Sequence, residues 1–156
     1  MSQRQRSRPR IGLFINTIAY GYQNELLLGA HQEAERLGID LFCFSGGELR
    51  GEDTGQHRRS SVYRLIDGTR LDGLMLGTST VANYLRPEQV LDFIEAYRPM
   101  PIVSIGVELP GIPSVVVDNQ IGVFGIPSHL LRVHRPRRVA FVSGPRDNAE
   151  SGARLA

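Results

Sequence analysis

Lysine is absent from this chain: all 18 basic residues are arginine. We read that as coding bias rather than mechanism. Cysteine is scarce. The single Cys43 excludes an internal disulfide and points to a reducing, cytoplasmic setting. No apolar run approaches the roughly 18 residues that a membrane span needs. Arg4, Arg6, Arg8 and Arg10 crowd the start, but no apolar core follows them, so a signal peptide is not expected. A basic body is missing as well. The net charge of +2 rests on those four arginines, and Ile11 to Ala156 carries a net −2. A surface built to grip nucleic acid is therefore not expected in the body. The leader, residues 1–9, reads as a disordered Arg-rich tail.

Catalytic and cofactor patterns are lacking too. His31, His57, His129 and His134 have no metal-ligand spacing with Cys43 or with one another. The run Gly46-Gly47-Glu48-Leu49-Arg50-Gly51 lacks the Gly-Lys-Ser/Thr ending of a phosphate loop. Gly73-Leu74-Met75-Leu76-Gly77 is a strand between glycines, not a dinucleotide fingerprint. Cys43 sits in an apolar strand and reads as inert core. We expect no cofactor, no metal and no enzyme.

What is present is strand–helix alternation. With 156 residues, 41% apolar and 22% charged, the chain can bury a core. Strands are expected at Arg10 to Ile15, Ile39 to Phe44, Leu71 to Leu76, Ile102 to Ile105, Ser114 to Val117 and Arg138 to Val142. Their continuous apolar character suits a parallel sheet buried on both faces. Helices are expected at Tyr22 to Leu37, closed by Gly38, at Gln56 to Asp67 with Val62, Leu65 and Ile66 inward, and from Pro87 with Val90, Ile94 and Tyr97 inward. Two more are expected at Gln120 to His134 and from Asp147. Pro127 falls inside the first of these, so that helix should kink there or restart. Only Gly106 to Pro113 separate the fourth and fifth strands, too few for a helical crossover. The fold class is α/β: a three-layer parallel sheet flanked by helices.

Several stretches occur in the order of one known family. They are Arg10-Ile11-Gly12-Leu13, Leu71-Asp72-Gly73-Leu74-Met75-Leu76, Pro101-Ile102-Val103-Ser104-Ile105, Pro113-Ser114-Val115-Val116-Val117-Asp118-Asn119, His129-Leu130-Leu131 and Arg137-Arg138-Val139-Ala140-Phe141-Val142-Ser143-Gly144-Pro145. With them the chain resembles the effector-binding region of LacI/GalR-type regulators, a periplasmic-binding-protein-like type I fold. The resemblance covers Arg10 to Ala156, and its specificity lies in the ordered set rather than in any one motif. It implies two α/β lobes with a ligand between them. Residues 11–118 would form the first lobe and residues 119–156 the beginning of the second, incomplete here. The remainder of lobe two and a returning segment would belong to a longer protein. Repressors of this type carry a helix-turn-helix before the first strand, and the nine residues here cannot form one. DNA binding would then come only through a domain absent from this chain. Phe42-Cys43-Phe44-Ser45-Gly46-Gly47, Asn83-Tyr84-Leu85 and Val133-His134 are similar to sensor domains that feed kinase or cyclase outputs. Arg135-Pro136 stands where the family often has Gly.

The resemblance implies a small-molecule effector, sugar- or nucleoside-like, and a homodimer that uses lobe surfaces including the first helix. Loops at the carboxyl ends of strands supply the ligand contacts in open α/β sheets. The candidates are Asn16, Thr17, Tyr20 and Tyr22 after the first strand, Ser45 and Gly46 after the second, Thr78 and Ser79 after the third, and Glu108 after the fourth. Either tyrosine could instead pack on the first helix. Asp118 has two readings, ligand contact or helix cap. Asn148 and Glu150 match positions from which the family reaches its ligand, and Arg154 matches a recurrent structural arginine. Taken alone, the chain should expose apolar sheet edge and aggregate or dimerise.

Overall fold

The computed structural model describes residues 8–144 apart from 20, 50–59 and 67–69, together with 152. Five parallel strands form one sheet in the order β2-β1-β3-β4-β5: β1 Arg10–Ile15, β2 Asp40–Ser45, β3 Gly73–Leu76, β4 Ile102–Ile105 and β5 Ser114–Val115. Four α-helices are described: α1 Tyr22–Leu37, α2 Thr78–Val81, α3 Pro87–Glu95 and α4 Asn119–His129. A 3₁₀ helix spans Ser61–Leu65, and a π-helical turn, Leu130–His134, continues α4.

The pleat of β1 divides the core. Leu13 and Ile15 point to the face that α1 covers with Leu26, Leu27 and Ala30. Phe14 points to the other face, among Tyr63, Leu76, Val90, Ile94 and Tyr97. Side chains alternate across a strand, so one continuous apolar run feeds two layers. Each fully buried Leu or Phe contributes about 1.5–3 kcal/mol by leaving water. Gly38, at φ 68°, ends α1 in the left-handed conformation a Cβ disfavours. Its N–H reaches Glu35 O at 3.3 Å, and Ile39 N–H reaches Ala34 O at 2.8 Å. Pro87 opens α3, and the Gln89 side chain accepts the Arg86 N–H at 3.0 Å. Val90, Ile94 and Tyr97 then face the core as the helical spacing predicts.

Several sequence expectations need correction. β2 lies at the sheet edge, so it is not buried on both faces: Phe42 is 45% exposed and Cys43 is exposed rather than core. Desolvation by its neighbours still raises the Cys43 thiol pKa. Among the described residues, the helix expected over Gln56 to Asp67 is only the 3₁₀ helix, in which Leu65 points outward. β5 has two residues instead of four. Arg8 is not loose tail: it pairs with Asp40 at 3.3 Å and donates to Ile39 O at 3.2 Å. Residues 1–7 lie outside the described residues.

The stretch from Asn119 onward departs furthest from these expectations. Pro127 lies within α4, which runs on and widens into the π-helical turn, where Arg135 N–H bonds Leu130 O at 3.0 Å. Arg135 then takes φ 43°, the left-handed conformation that a glycine would hold without strain. Arg138 to Val142 form no strand and are exposed. A strand needs a neighbour to accept its ladder, and none of the described strands lies beside this stretch. The helix expected from Asp147 falls outside the described residues, Gly152 apart.

Candidate functional site

All five strands are parallel, so their carboxyl ends share one edge of the sheet. The chain leaves β1 to one side to reach β2, then returns across β1 to place β3 on its other side. Strand order reverses there, which in open α/β sheets is the point beside which ligands bind. Asn16 and Thr17 follow β1, and Gly77, Thr78 and Ser79 follow β3.

The β1 and β2 loops are joined into one rim. The backbone carbonyl of Asn16 accepts Gly47 N–H at 3.0 Å and the Ser45 hydroxyl at 3.3 Å. Tyr63 lies beneath them, fully buried. Its hydroxyl accepts Gly46 N–H at 3.1 Å and has two carbonyls in reach, Gly47 O at 2.7 Å and Ile15 O at 2.9 Å. One hydroxyl carries one proton, so it serves those two acceptors in turn. Gly46 has no room for a side chain: a Cβ would lie 2.6 Å from the Tyr63 ring. Tyr97 donates to the Tyr63 carbonyl at 3.0 Å and so ties the clamp to the segment after α3. Burial pushes the Tyr63 phenol above the tyrosine range and raises Tyr97 to about 12, against a lowering by Arg64.

The β3 and β4 loops are joined by buried hydroxyls. The Ser104 hydroxyl donates to Val107 O at 2.5 Å and lies 2.7 Å from the Thr78 hydroxyl, which also has Leu76 O in reach at 3.2 Å. Both side chains are buried, so each needs such a partner. Gly106, at φ 89°, passes so close to Ser79 that a Cβ would stand 2.6 Å from Ser79 Cβ.

One polar atom in the loop after β1 is left over. Asn16 Oδ1 is buried, and among the described residues no donor reaches it. A buried acceptor without a partner costs about 1–3 kcal/mol.

The candidates therefore separate. Asn16, Ser45 and Gly46 share one rim, and Thr78 and Ser79 adjoin the β4 loop. Thr78 has its hydroxyl committed to Ser104 inside the protein. Thr17 Oγ1 accepts Ala19 N–H at 3.2 Å in a local turn. Tyr22 opens α1, 48% exposed, and Glu108 is exposed beyond β4. Asp118 caps α4, its Oδ1 accepting Ile121 N–H at 3.1 Å, so of its two readings the structure shows the cap. Tyr20, Asn148, Glu150 and Arg154 lie outside the described residues. Sequence reasoning missed Tyr63, Ser104 and Gly106. Ser104 alone left a signal, as the only hydroxyl in an apolar strand.

The five-stranded parallel sheet flanked by helices is an α/β fold of the periplasmic-binding-protein-like class. The solved structures that it matches include LacI-type regulators. The Escherichia coli transcriptional repressor ascG is 26% identical with TM-score 0.65, over 94% of this chain and 51% of that one. A sugar-binding transcriptional regulator of the LacI family from Escherichia coli, complexed with phosphate, is 25% identical with TM-score 0.63, over 94% and 50%. The Cra regulator of Pseudomonas putida, in complex with fructose 1-phosphate, is 19% identical with TM-score 0.70, over 94% and 50%. The chain thus spans about half the length of the structures it matches. No protein-family model and no curated protein matches it.

Proposed function

We propose that this chain is the ligand-sensing part of a bacterial regulatory or signalling protein, taking a sugar- or nucleoside-like molecule between two lobes. Residues 11–118 are the first lobe and residues 119–156 open the second. Lobe closure is relayed to an output domain outside the chain. The effector shifts the closed state only through its greater affinity for that state. Binding, not turnover, is the activity, and the protein works in the cytoplasm, as a homodimer. Among the described residues, no helix is long and apolar enough to cross a membrane.

The observation that carries this reading is Asn16 Oδ1, a buried acceptor with no described donor, in the loop after β1 where strand order reverses. A hydroxyl or N–H of a ligand would satisfy it. A second reading makes the chain part of a DNA-binding repressor whose helix-turn-helix lies elsewhere. The description of ascG as a transcriptional repressor favours it. The two readings share the ligand site and differ in the output.

The test is a thermal-shift screen of the chain against monosaccharides, their phosphate esters and nucleosides. One class should raise the melting temperature, reaching about 2.7 kcal/mol of stabilisation at a hundredfold excess over Kd. Asn16→Leu should weaken that binding about tenfold or more, since a lost ligand hydrogen bond is worth about 1–1.5 kcal/mol. If no class binds, or Asn16→Leu binds as tightly as the parent, the reading fails.

A further inference from the structure

An asparagine in a loop can ordinarily turn its amide to water. Asn16 is only partly buried, yet its Oδ1 is shut off from solvent, and among the described residues no donor reaches it. An unsatisfied atom of this kind persists where the surrounding structure dictates its place. The peptide planes on both sides of Asn16 are fixed. A carbonyl oxygen lies in one rigid plane with the nitrogen and Cα of the next residue. Ile15 O therefore sets the plane that enters Asn16. It accepts Gly46 N–H at 3.3 Å and lies 2.9 Å from the Tyr63 hydroxyl. Asn16 O sets the plane that leaves, and it accepts Gly47 N–H at 3.0 Å and the Ser45 hydroxyl at 3.3 Å.

Both loops meet at one atom, the Tyr63 oxygen. It accepts Gly46 N–H at 3.1 Å and reaches Gly47 O at 2.7 Å as well as Ile15 O, so it ties the β1 loop to the β2 loop from beneath. The phenol itself cannot swing aside. Its ring centroid lies 4.7 Å from that of Phe14 and 6.3 Å from that of Phe93, and the Tyr97 hydroxyl holds the Tyr63 carbonyl at 3.0 Å. Phenylalanine at this position would keep the ring packing and lose every polar contact of the hydroxyl.

Resting on the reading of Asn16 as a ligand contact, we propose that Tyr63 is the positioning residue of that contact: its hydroxyl locks the loops after β1 and β2 together and so keeps Asn16 Oδ1 out of water before a ligand arrives. Tyr63 does not touch the ligand. It acts through Ile15 O and, by way of Gly46 and Gly47, through Asn16 O. A ligand that meets an acceptor already in place has no loop to order on binding. Without the hydroxyl the loop relaxes, the Asn16 amide reaches water, and the acceptor is no longer held empty. The two side chains are then coupled in energy although neither bonds the other.

The test is a double-mutant cycle on the whole chain, unfolded by urea with no ligand added: the parent, Asn16→Leu, Tyr63→Phe and the double variant. Leucine removes the unsatisfied oxygen in the parent, but in Tyr63→Phe that oxygen already reaches water. Asn16→Leu should therefore favour folding at least about threefold more in the parent than in Tyr63→Phe, beyond the roughly twofold within which independent sites add. Ile94→Val, a buried control on α3, loosens the same core without removing the hydroxyl, and Asn16→Leu should keep its full effect there. A smaller difference between the parent and Tyr63→Phe, or an equal loss of effect in Ile94→Val, overturns the proposal and leaves the ligand reading intact. A parent that Asn16→Leu makes more than about fivefold easier to unfold fails the ligand reading itself, and this proposal with it. Should Tyr63→Phe not fold, amide exchange in the parent decides. Protection at Gly46 and Gly47 should agree within about threefold, as one opening unit, and a larger difference means that the two loops open separately and overturns the clamp.

Discussion

The sheet-bearing residues 10–118, called the lobe here, and residues 119–144, called the arm, contain similar apolar residues with opposite fates. In the lobe, Phe14, Leu74, Leu76, Val90 and Ile94 are at most 2% exposed. In the arm, Phe124 is 65% and Val142 91% exposed. The difference is not one of composition. Lobe residues meet each other through parallel strands brought together from distant parts of the chain, whereas none of the described strands lies beside the arm. Apolar sequence creates a demand for burial, and topology decides whether it is met.

The largest effect should separate the two regions directly. Phe14→Ala should cost about 3–5 kcal/mol in urea denaturation, whereas Phe124→Ala, measured at a concentration where the chain is monomeric, should change stability by less than about 0.5 kcal/mol. Equal losses would erase the distinction. Tyr63→Phe should cost about 1–3 kcal/mol, because Gly47 O loses a buried donor. It should also raise amide exchange at Gly46 and Gly47 more than in α3. A uniform rise would mean that the hydroxyl does not pin the rim.

Alkaline titration sharpens the lobe's side of the contrast. Tyr63 and Tyr97 keep their protons in the fold above the ordinary tyrosine range near 10. The unfolded chain releases them first, so their contribution is whole below about pH 10 and declines as pH rises toward the folded values, about 12 for Tyr97. Absorbance at 295 nm should show these two phenols ionising late and together with unfolding. Ionisation near pH 10 with the fold intact would show that neither is buried. The smallest effect belongs to the arm. Asp118→Ala should cost α4 about 1 kcal/mol of helix stability and lower helical circular dichroism, leaving the lobe's melting temperature unchanged.

What was legible in the sequence follows from the range of the interactions involved. β1, α1 and β4 keep the bounds their local patterns indicate, because periodicity and Gly38 act within a few residues. β2 was misjudged because its burial depends on strand order, and an edge strand can be as apolar as a central one. The site was legible as a set of loops, not as a set of bonds. Thr78 looked like rim, but its hydroxyl is committed to Ser104, 26 residues away. Tyr63 left no local trace, since its clamp on Ile15 spans 48 residues. Arg138 to Val142 read as a strand by composition, yet pairing is supplied from elsewhere.

The central claim is that Asn16 keeps an unpaired oxygen for a ligand, and its most direct test is the urea stability of Asn16→Leu without ligand. An acceptor held for a ligand costs stability while empty, so the variant should match or exceed the parent, by up to about 1–3 kcal/mol. A loss of more than about 1 kcal/mol would mean that Asn16 is bonded within the fold, and would contradict the assignment of this loop to a binding site.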